Sequence, residues 1–148
     1  MRRSRKLLRS SLTKPLPPDM SILVYETVED SPRHGEAVGI VDSAREVLLP
    51  SIVAHEYIWV MVRKLGVAPS FVEQKLREYF GDPRARYIVE QPAVLYRALI
   101  LLEEQGASPR EINDYIVLVT AMHHGAVLAT FDEKLRKKAA KLGVETLP

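Results

Sequence analysis

Short apolar-rich runs alternate with amphipathic segments along most of the chain. The runs are short enough to predict buried strands, and they lie at residues 47–49, 87–89, 126–130 and 144–147. The amphipathic segments predict helices at residues 31–44, 51–65, 70–80, 93–105, 108–124 and 133–142. Strands that alternate with helices indicate an α/β fold, in which helices cover both faces of a central parallel sheet.

Local signals mark where two of these helices begin. Ser108, Pro109 and Glu111 have the spacing of a capping box, in which the serine hydroxyl and the glutamate carboxylate each accept a hydrogen bond from a backbone N–H. Ser31 followed by Pro32 predicts an N-cap with proline at the first helical position. The capping box fixes the entry to the helix that carries one of the acidic residues considered below.

A proline-rich stretch, Lys14-Pro-Leu-Pro-Pro18, precedes the first of these elements. Proline has no backbone N–H to give to a sheet, so the stretch is predicted to make a poor central strand. The 148 residues suit one domain of ordinary size. We therefore expect a basic N-terminal arm at residues 1–14 and one folded domain at residues 15–148.

Charge is distributed unequally between these two parts. The arm holds six basic residues and no acidic one, whereas the rest has 15 basic and 19 acidic residues. The formal net charge of +2 therefore describes neither part. Two interpretations of the arm stay open: a tail that binds RNA, or an extension without a role.

Composition excludes several kinds of site. The chain has no cysteine, which rules out a disulfide scaffold, a thiol nucleophile and cysteine-based zinc or iron–sulfur centres. No apolar run reaches the length of a membrane span. We expect a cytoplasmic protein that does not cross a membrane.

Four carboxylates can lie near one edge of the sheet: Glu56, Asp114 and Asp132, which lie where predicted strands end or helices begin, and Asp19, which precedes the first apolar run. Ligands of open parallel sheets bind outside the carboxyl ends of the strands, so these acids are the ones expected to meet. Clustered like charges are costly unless a cation compensates them. Carboxylate oxygens suit Mg²⁺ or Mn²⁺, which can activate a water against a phosphodiester. Alternatively, each acid is a helix cap, a solvated charge or an ion pair.

The four acids belong to short motifs that follow one another in a fixed order. The motifs are Asp19-Met-Ser-Ile-Leu23, LPSIVAHE with Ser51 and Glu56, INDYIVLVTAMHHG with Asp114, and Thr130-Phe-Asp132. In this order and spacing they resemble the PIN domain family, and within it the VapC-type toxin ribonucleases of prokaryotic toxin–antitoxin systems. The resemblance extends from about residue 19 to residue 148.

The resemblance implies a fold, an activity and partners. The fold would be a single PIN-like domain with a central parallel sheet of about five strands between helices. The activity would be endonucleolytic cleavage of RNA with Mg²⁺ or Mn²⁺. The catalytic and metal-binding residues would be Asp19, Glu56, Asp114 and Asp132, with hydroxyls from Ser21 and Thr130 orienting the carboxylates or a water. The partners would be an RNA substrate, a second copy in a homodimer and a small antitoxin protein.

Two positions depart from the family pattern. Met20 stands where a threonine or serine is usual, and prolines precede Asp19 where the family has an apolar strand. Glu26, which follows the run ILVY, is the alternative first acid; Asp19 is preferred because its distances to Leu23 and to the SPRH segment fit the family better. The competing functions are an RNA-binding module that does not cut and a nuclease for structured DNA.

Two further features offer contacts to RNA. Lys134, Arg136 and Lys137 lie on the basic helix that follows Asp132 and are candidate phosphate contacts, although a solvated face is the default for such a run. Trp59 could stack on a base. Its helical spacing among aliphatic residues instead favours a place in the core or in a dimer interface.

Overall fold

The structure, a computed structural model, describes residues 14–148, so all of the predicted basic arm except Lys14 lies outside the described residues. The α-helices are α1 (Met20–Thr27), α2 (His34–Ser43), α3 (Ser51–Ile58), α4 (Pro69–Gly81), α5 (Pro92–Glu104), α6 (Ile112–His123) and α7 (Glu133–Lys141). The strands are β1 (Val47–Pro50), β2 (Ala85–Ile88), β3 (Leu128–Ala129) and β4 (Thr146–Leu147). Within residues 14–148, no helix is long and apolar enough to cross a membrane.

All strand pairs are parallel, as the alternation of strands and helices predicts. β1 pairs with β2, and β3 pairs with β4, to give two separate two-stranded sheets. The proline-rich segment makes one isolated parallel bridge to each sheet, from Leu16 to Val47 and from Pro18 to Ala129. The α/β class is therefore confirmed. The described strands form two small sheets, with the proline-rich residues 14–18 as a bridging segment between them, and not one continuous central sheet of five.

The prolines account for the break on the β1 side. The Leu16 N–H donates to the Glu46 carbonyl, and the Leu16 carbonyl accepts from the Leu48 N–H, both at 3.0 Å. The next two bonds of a parallel ladder would need N–H donors at Pro18 and Pro50. Neither residue has one, so the pairing stops after a single bridge.

The segment pairs with the β3 side through its carbonyls. Pro15 and Pro17 accept from the N–H groups of Val127 and Ala129, each at 3.0 Å, and the Asp19 N–H donates to the Ala129 carbonyl at 2.8 Å. A proline keeps its acceptor when it loses its donor. The prediction of a poor central strand is thus confirmed, since the segment lies between the two sheets and makes only one isolated bridge to each.

The apolar stretch that follows Asp19 forms helix α1. Ile22 and Leu23 are buried, and the Asp19 side chain accepts from the Ile22 N–H at 3.3 Å, which caps the helix. An apolar run of this length is compatible with either a strand or a helix, and the cap decides between them. Capping therefore gives Asp19 a structural role in addition to any chemical one.

Two other helices differ from prediction in their ends or register. Helix α2 begins at His34 and not at Ser31, because Ser31 and Pro32 form a turn before it. The predicted helix at 51–65 is α-helical only to Ile58 and continues as a π-helix over Trp59–Lys64. A 3₁₀ turn at Pro109–Glu111 leads into α6.

Two apolar clusters hold the elements together. The larger one joins the bridging segment, β1, β3 and the inner faces of α1, α3 and α6, and Leu16, Leu48 and Leu118 are fully buried in it. The smaller one lies between α5 and α6 around Ala98 and Tyr115. The inner sheet elements are thus covered by apolar side chains, while the acids are left near the strand ends.

Replacing Leu16 with alanine tests whether the bridging segment stabilises the fold. Leu16 is fully buried, so Leu16→Ala should lower the free energy of unfolding by about 2–5 kcal/mol. Urea denaturation followed by far-UV circular dichroism measures the change. Leu95→Ala on α5, where the side chain is 40% exposed, should change it by only about 0.5 kcal/mol. Equal effects of the two substitutions would contradict a structural role for the segment.

Candidate active site

Asp19 is the most buried of the four predicted acids, with 7% of its surface exposed. Its Oδ1 accepts from the Ser21 hydroxyl and from the Ile22 N–H, and its Oδ2 accepts from the Thr130 hydroxyl. Burial raises the pKa of the Asp19 carboxyl, and these hydrogen bonds, which favour the charged form, lower it in part. The carboxylate is therefore held in one orientation at an energetic cost.

The two predicted orienting hydroxyls connect Asp19 to the chain that leaves β3. The Ser21 Oγ accepts from the Phe131 N–H at 3.1 Å, and the Thr130 Oγ1 accepts from the Asp132 N–H at 2.9 Å. Each hydroxyl thus accepts from the backbone and donates to Asp19. Because its acceptor role is already filled, each hydroxyl proton is directed to the carboxylate.

Asp132 caps the next helix. Its Oδ1 accepts from the N–H groups of Lys134 and Leu135 at 2.9 and 3.3 Å, which starts α7. The negative charge of Asp132 also raises the pKa of Asp19. The first and last of the predicted acids therefore lie close enough to repel each other.

The charge of Glu56, on α3, couples Asp19 and Asp132 to the fourth acid, Asp114. Burial, followed by the charges of Asp114 and Asp19, raises the pKa of Glu56 to about 7, and a hydrogen bond with the Asn113 side chain lowers it in part. A carboxyl group with this pKa is about half protonated at neutral pH. The structure thus brings all four predicted acids into one electrostatic cluster.

Asp114 lies in the first turn of α6 and carries a cationic partner. The Lys138 ammonium on α7 contacts Asp114 Oδ2 at 2.8 Å and Glu111 Oε1 at 2.6 Å. Glu111 also accepts from the Ser108 N–H at 2.7 Å, which completes the predicted capping box. Sequence reasoning placed Lys138 only on a basic helical face, because its contact with Asp114 depends on how α7 packs against α6.

The oxygen donors of this cluster suit a hard divalent cation, and they are not yet arranged around one. Among residues 14–148, no three Asp, Glu, His or Cys side chains are close enough together to hold a metal ion. Charge coupling acts over longer distances than coordination, so the acids repel one another without forming a closed cage. The pKa of Glu56 is raised first by burial and then by the charges of Asp114 and Asp19, so a nearby cation would favour its charged form. The residues therefore fit such a cation by charge and chemistry.

The alternative first acid, Glu26, lies elsewhere. It is near the C-terminal end of α1 and accepts a hydrogen bond from the Tyr79 hydroxyl. The Tyr79 hydroxyl and the buried Tyr57 hydroxyl both contact Thr27, at 2.9 and 2.8 Å. Glu26 therefore belongs to a hydroxyl network between α1, α3 and α4, and Asp19 is the acid that lies against Glu56.

The candidate phosphate contacts on α7 have different surroundings. Arg136 donates to the Thr130 carbonyl at 3.1 Å and to Glu133 at 2.9 Å, and its Nε is buried without a hydrogen-bond partner. Lys134 and Lys137 are exposed on the same helix. Arg136 thus supports the backbone at the end of β3, while a phosphate contact by any of the three residues stays a prediction.

A cleft of about 470 Å³ opens beside Glu56. Its lining includes Met20, which replaces the usual hydroxyl residue, and Asn113, the partner of Glu56. Trp59 also lines it and is 53% exposed. The core position of Trp59 is therefore wrong, because the indole lies at the surface next to the acidic cluster, while the alternative of a dimer interface stays a prediction.

The fold and the acidic cluster define an α/β protein with a carboxylate site at its strand ends. A PIN domain family model matches residues 18–141. The chain therefore belongs to the PIN domain family. A search of curated protein sequences gives no match.

Solved structures share the fold at low sequence identity. VapC20 of Mycobacterium tuberculosis, a toxin that cleaves the sarcin–ricin loop, superposes with a TM-score of 0.72 at 15% identity, over 83% of this chain and 94% of that one. VapBC2 from Rickettsia felis, bound to a promoter DNA fragment, superposes with a TM-score of 0.64 at 17% identity, over 90% of this chain and 97% of that one. FitAcB from Neisseria gonorrhoeae superposes with a TM-score of 0.59 at 17% identity, over 90% of this chain and 96% of that one. These likenesses show the fold, and the arrangement of the acids comes from this chain itself.

The pKa of Glu56 predicts how stability depends on pH. Since it is raised from 4.5 to about 7, the native state holds more protons than the unfolded state between these values, and stability falls as pH rises through that window. Glu56→Gln removes this loss. After allowance for solvent screening, the variant should gain about 1–2 kcal/mol over wild type across the window. Urea denaturation at a series of pH values measures it.

The control for this experiment is an acid outside the cluster. Glu103→Gln changes an exposed carboxylate on α5 and should keep the wild-type pH profile. A profile for Glu56→Gln that runs parallel to wild type would show that Glu56 is not under electrostatic strain.

Proposed function

We propose that the chain is a metal-dependent endoribonuclease of the VapC type that cleaves RNA phosphodiesters with Mg²⁺ or Mn²⁺. The observation that carries the proposal is the coupling of four carboxylates at the strand ends, with the pKa of Glu56 raised to about 7 by burial and by its neighbours. Such a cluster is costly for stability and is useful where a cation must be bound. The PIN domain match supports the same conclusion.

In this proposal the cation is held by Asp19, Glu56, Asp114 and Asp132. A bound divalent cation supplies Lewis-acid stabilisation of charge on the phosphate and lowers the pKa of a water. The chain's own residues orient the carboxylates and compensate part of their negative charge. Ser21 and Thr130 fix the Asp19 carboxylate, and Lys138 neutralises part of the charge at Asp114. Glu56, with a pKa of about 7 in the metal-free chain, would have to give up its proton to act as a ligand.

The substrate and partners are further parts of the proposal. RNA is favoured because VapC20, which shares the fold, is a toxin that cleaves the sarcin–ricin loop. A small antitoxin is proposed because VapBC2 and FitAcB share the fold. Helix α5 exposes Leu95, Tyr96, Leu99 and Ile100, each at 40–66%, which suits contact with an antitoxin or with a second copy in a homodimer. Such an enzyme would work in the cytoplasm.

One observation favours a second candidate function, RNA binding without cleavage. Asp114 is already paired with Lys138, and the acids in residues 14–148 do not form a closed metal site. If the ion pair is stronger than metal binding, the cluster stays unloaded and the surface only binds RNA. The two functions differ in whether the purified chain takes up a divalent cation.

Cleavage of RNA by the purified chain tests the proposal. The wild type should cleave RNA with Mg²⁺ or Mn²⁺, and EDTA should stop it because the carboxylates alone cannot activate water. Asp114→Asn should lower the rate by more than about 100-fold, since it removes a charged ligand. Gel analysis of a labelled RNA measures the rate. Asp30→Asn, at an exposed acid in the turn after α1, should cleave as wild type does.

Calorimetric titration with Mn²⁺ separates the two candidates. Heat of binding in the wild type, lost in Asp114→Asn, supports the nuclease. RNA binding without Mn²⁺ uptake or cleavage supports the second candidate. Cleavage that survives both EDTA and Asp114→Asn would contradict the metal mechanism.

A further inference from the structure

The helix beside the acidic cluster changes its register where it passes the cleft. Residues Trp59–Lys64 form a π-helix, and the Leu65 N–H donates to the Val60 carbonyl five residues earlier at 2.9 Å. π-Helical turns are rare and are frequent at functional sites, because each costs stability. Trp59, Val60 and Lys64 all line the cleft. The π-helical turn that follows α3 therefore shapes one wall of the cleft.

The π-helical register brings a cation onto the indole. Residues five apart on an α-helix are turned by about 140° from each other, whereas an i→i+5 turn places them on the same side. The Lys64 ammonium lies 5.0 Å from the centre of the Trp59 ring, within the range of a cation–π interaction. The pair places a positive charge over one face of the indole, and 53% of Trp59 stays exposed.

The remaining walls of the cleft are suited to one flat, partly polar ring. Ile52 and Met20 are apolar, while His55 and Asn113 offer hydrogen-bonding groups. Its volume of about 470 Å³ lies within the range of small-ligand sites. Glu56 is part of the same lining, so whatever occupies the cleft lies next to the proposed cleavage site.

We propose that this cleft binds a nucleobase of the RNA substrate, stacked on Trp59, with Lys64 contacting a phosphate of the same nucleotide. The inference rests on the proposed ribonuclease function and adds a specificity pocket to it. An aromatic face with an adjacent cation is the usual means of binding single-stranded nucleic acid. A peptide side chain could fill the apolar walls, but it would leave the Lys64 ammonium over the ring without an anion. The chemistry of the pair therefore favours a nucleotide.

Trp59 reports directly on this proposal, because it is the single tryptophan of the chain. The full-length protein is titrated in EDTA, where no cleavage occurs, with oligouridylate, with oligoadenylate and with an abasic chain of the same phosphate number. Stacking should quench the fluorescence with at least one base-containing chain, and the abasic chain should leave it unchanged. Equal quenching by the abasic chain would overturn the proposal, since phosphates alone would account for it.

Substitutions separate the base contact from the phosphate contact. Trp59→Ala should weaken oligonucleotide binding by about 5- to 150-fold, and Trp59→Phe should recover part of the loss. Lys64→Ala should weaken the binding of base-containing and abasic oligonucleotides alike. It should also reduce the slope of log affinity against log salt concentration by about 0.7. Anisotropy of labelled RNA measures both. Tyr87→Ala, at a 49% exposed aromatic on β2, is the control and should bind as wild type does.

The outcomes distinguish the pocket from the proposed function. Asp114→Asn should lose cleavage and keep the quenching. Wild-type cleavage with unchanged RNA binding by Trp59→Ala would overturn the pocket and leave the nuclease intact. Trp59 fluorescence that changes with protein concentration, together with a smaller sedimenting species for Trp59→Ala, would assign the surface to a second copy and overturn the proposal. Quenching without any cleavage would support the pocket within an RNA-binding module.

Discussion

The Asp19 amide donates to the Ala129 carbonyl, and the placement of the acids depends on that bond. It fixes the end of the bridging segment against the end of β3, so that the Asp19 carboxylate meets the Thr130 hydroxyl. The chain then turns, and Asp132 starts α7 within reach of the Asp19 charge. On the other side, β1 ends at Pro50 and α3 brings Glu56 to the same edge. Without this pairing, the strand ends would not converge.

Bringing four acids together has a cost, and the fold offsets it in three ways. The hydroxyls of Ser21 and Thr130 favour the charged form of Asp19. Lys138 forms ion pairs with Asp114 and with Glu111. Glu56 holds a proton up to about pH 7. Each of these three effects compensates part of the negative charge, and one bound divalent cation would compensate it more strongly. The cluster is therefore tolerated in the absence of a cation and favours binding one.

Local signals in the sequence predict the features that depend on neighbouring residues. The capping box at Ser108, the strand at 47–50 and the helices α5 and α6 follow from caps, apolar runs and helix stops. The four acids were found because strand ends meet at one edge. The contact of Lys138 with Asp114 was not predicted, because it depends on how two helices pack together. The core position of Trp59 was wrong, because helical spacing among aliphatic residues does not show which side of the helix is covered. The prolines correctly predicted a poor strand, but not that their carbonyls would still accept hydrogen bonds from the β3 side.

The hydrogen bond from the Thr130 hydroxyl to the Asp19 carboxylate joins residues 111 positions apart, about three-quarters of the chain. Closing so long a loop is entropically expensive and slow, so contacts of this kind form late in folding. The bridging segment can pair with β1 much earlier, but it has no partner on its other side until β3 exists. The acidic cluster therefore forms only with the native fold. In a partly folded chain the same carboxylates would be far apart and solvated, with their ordinary pKa values.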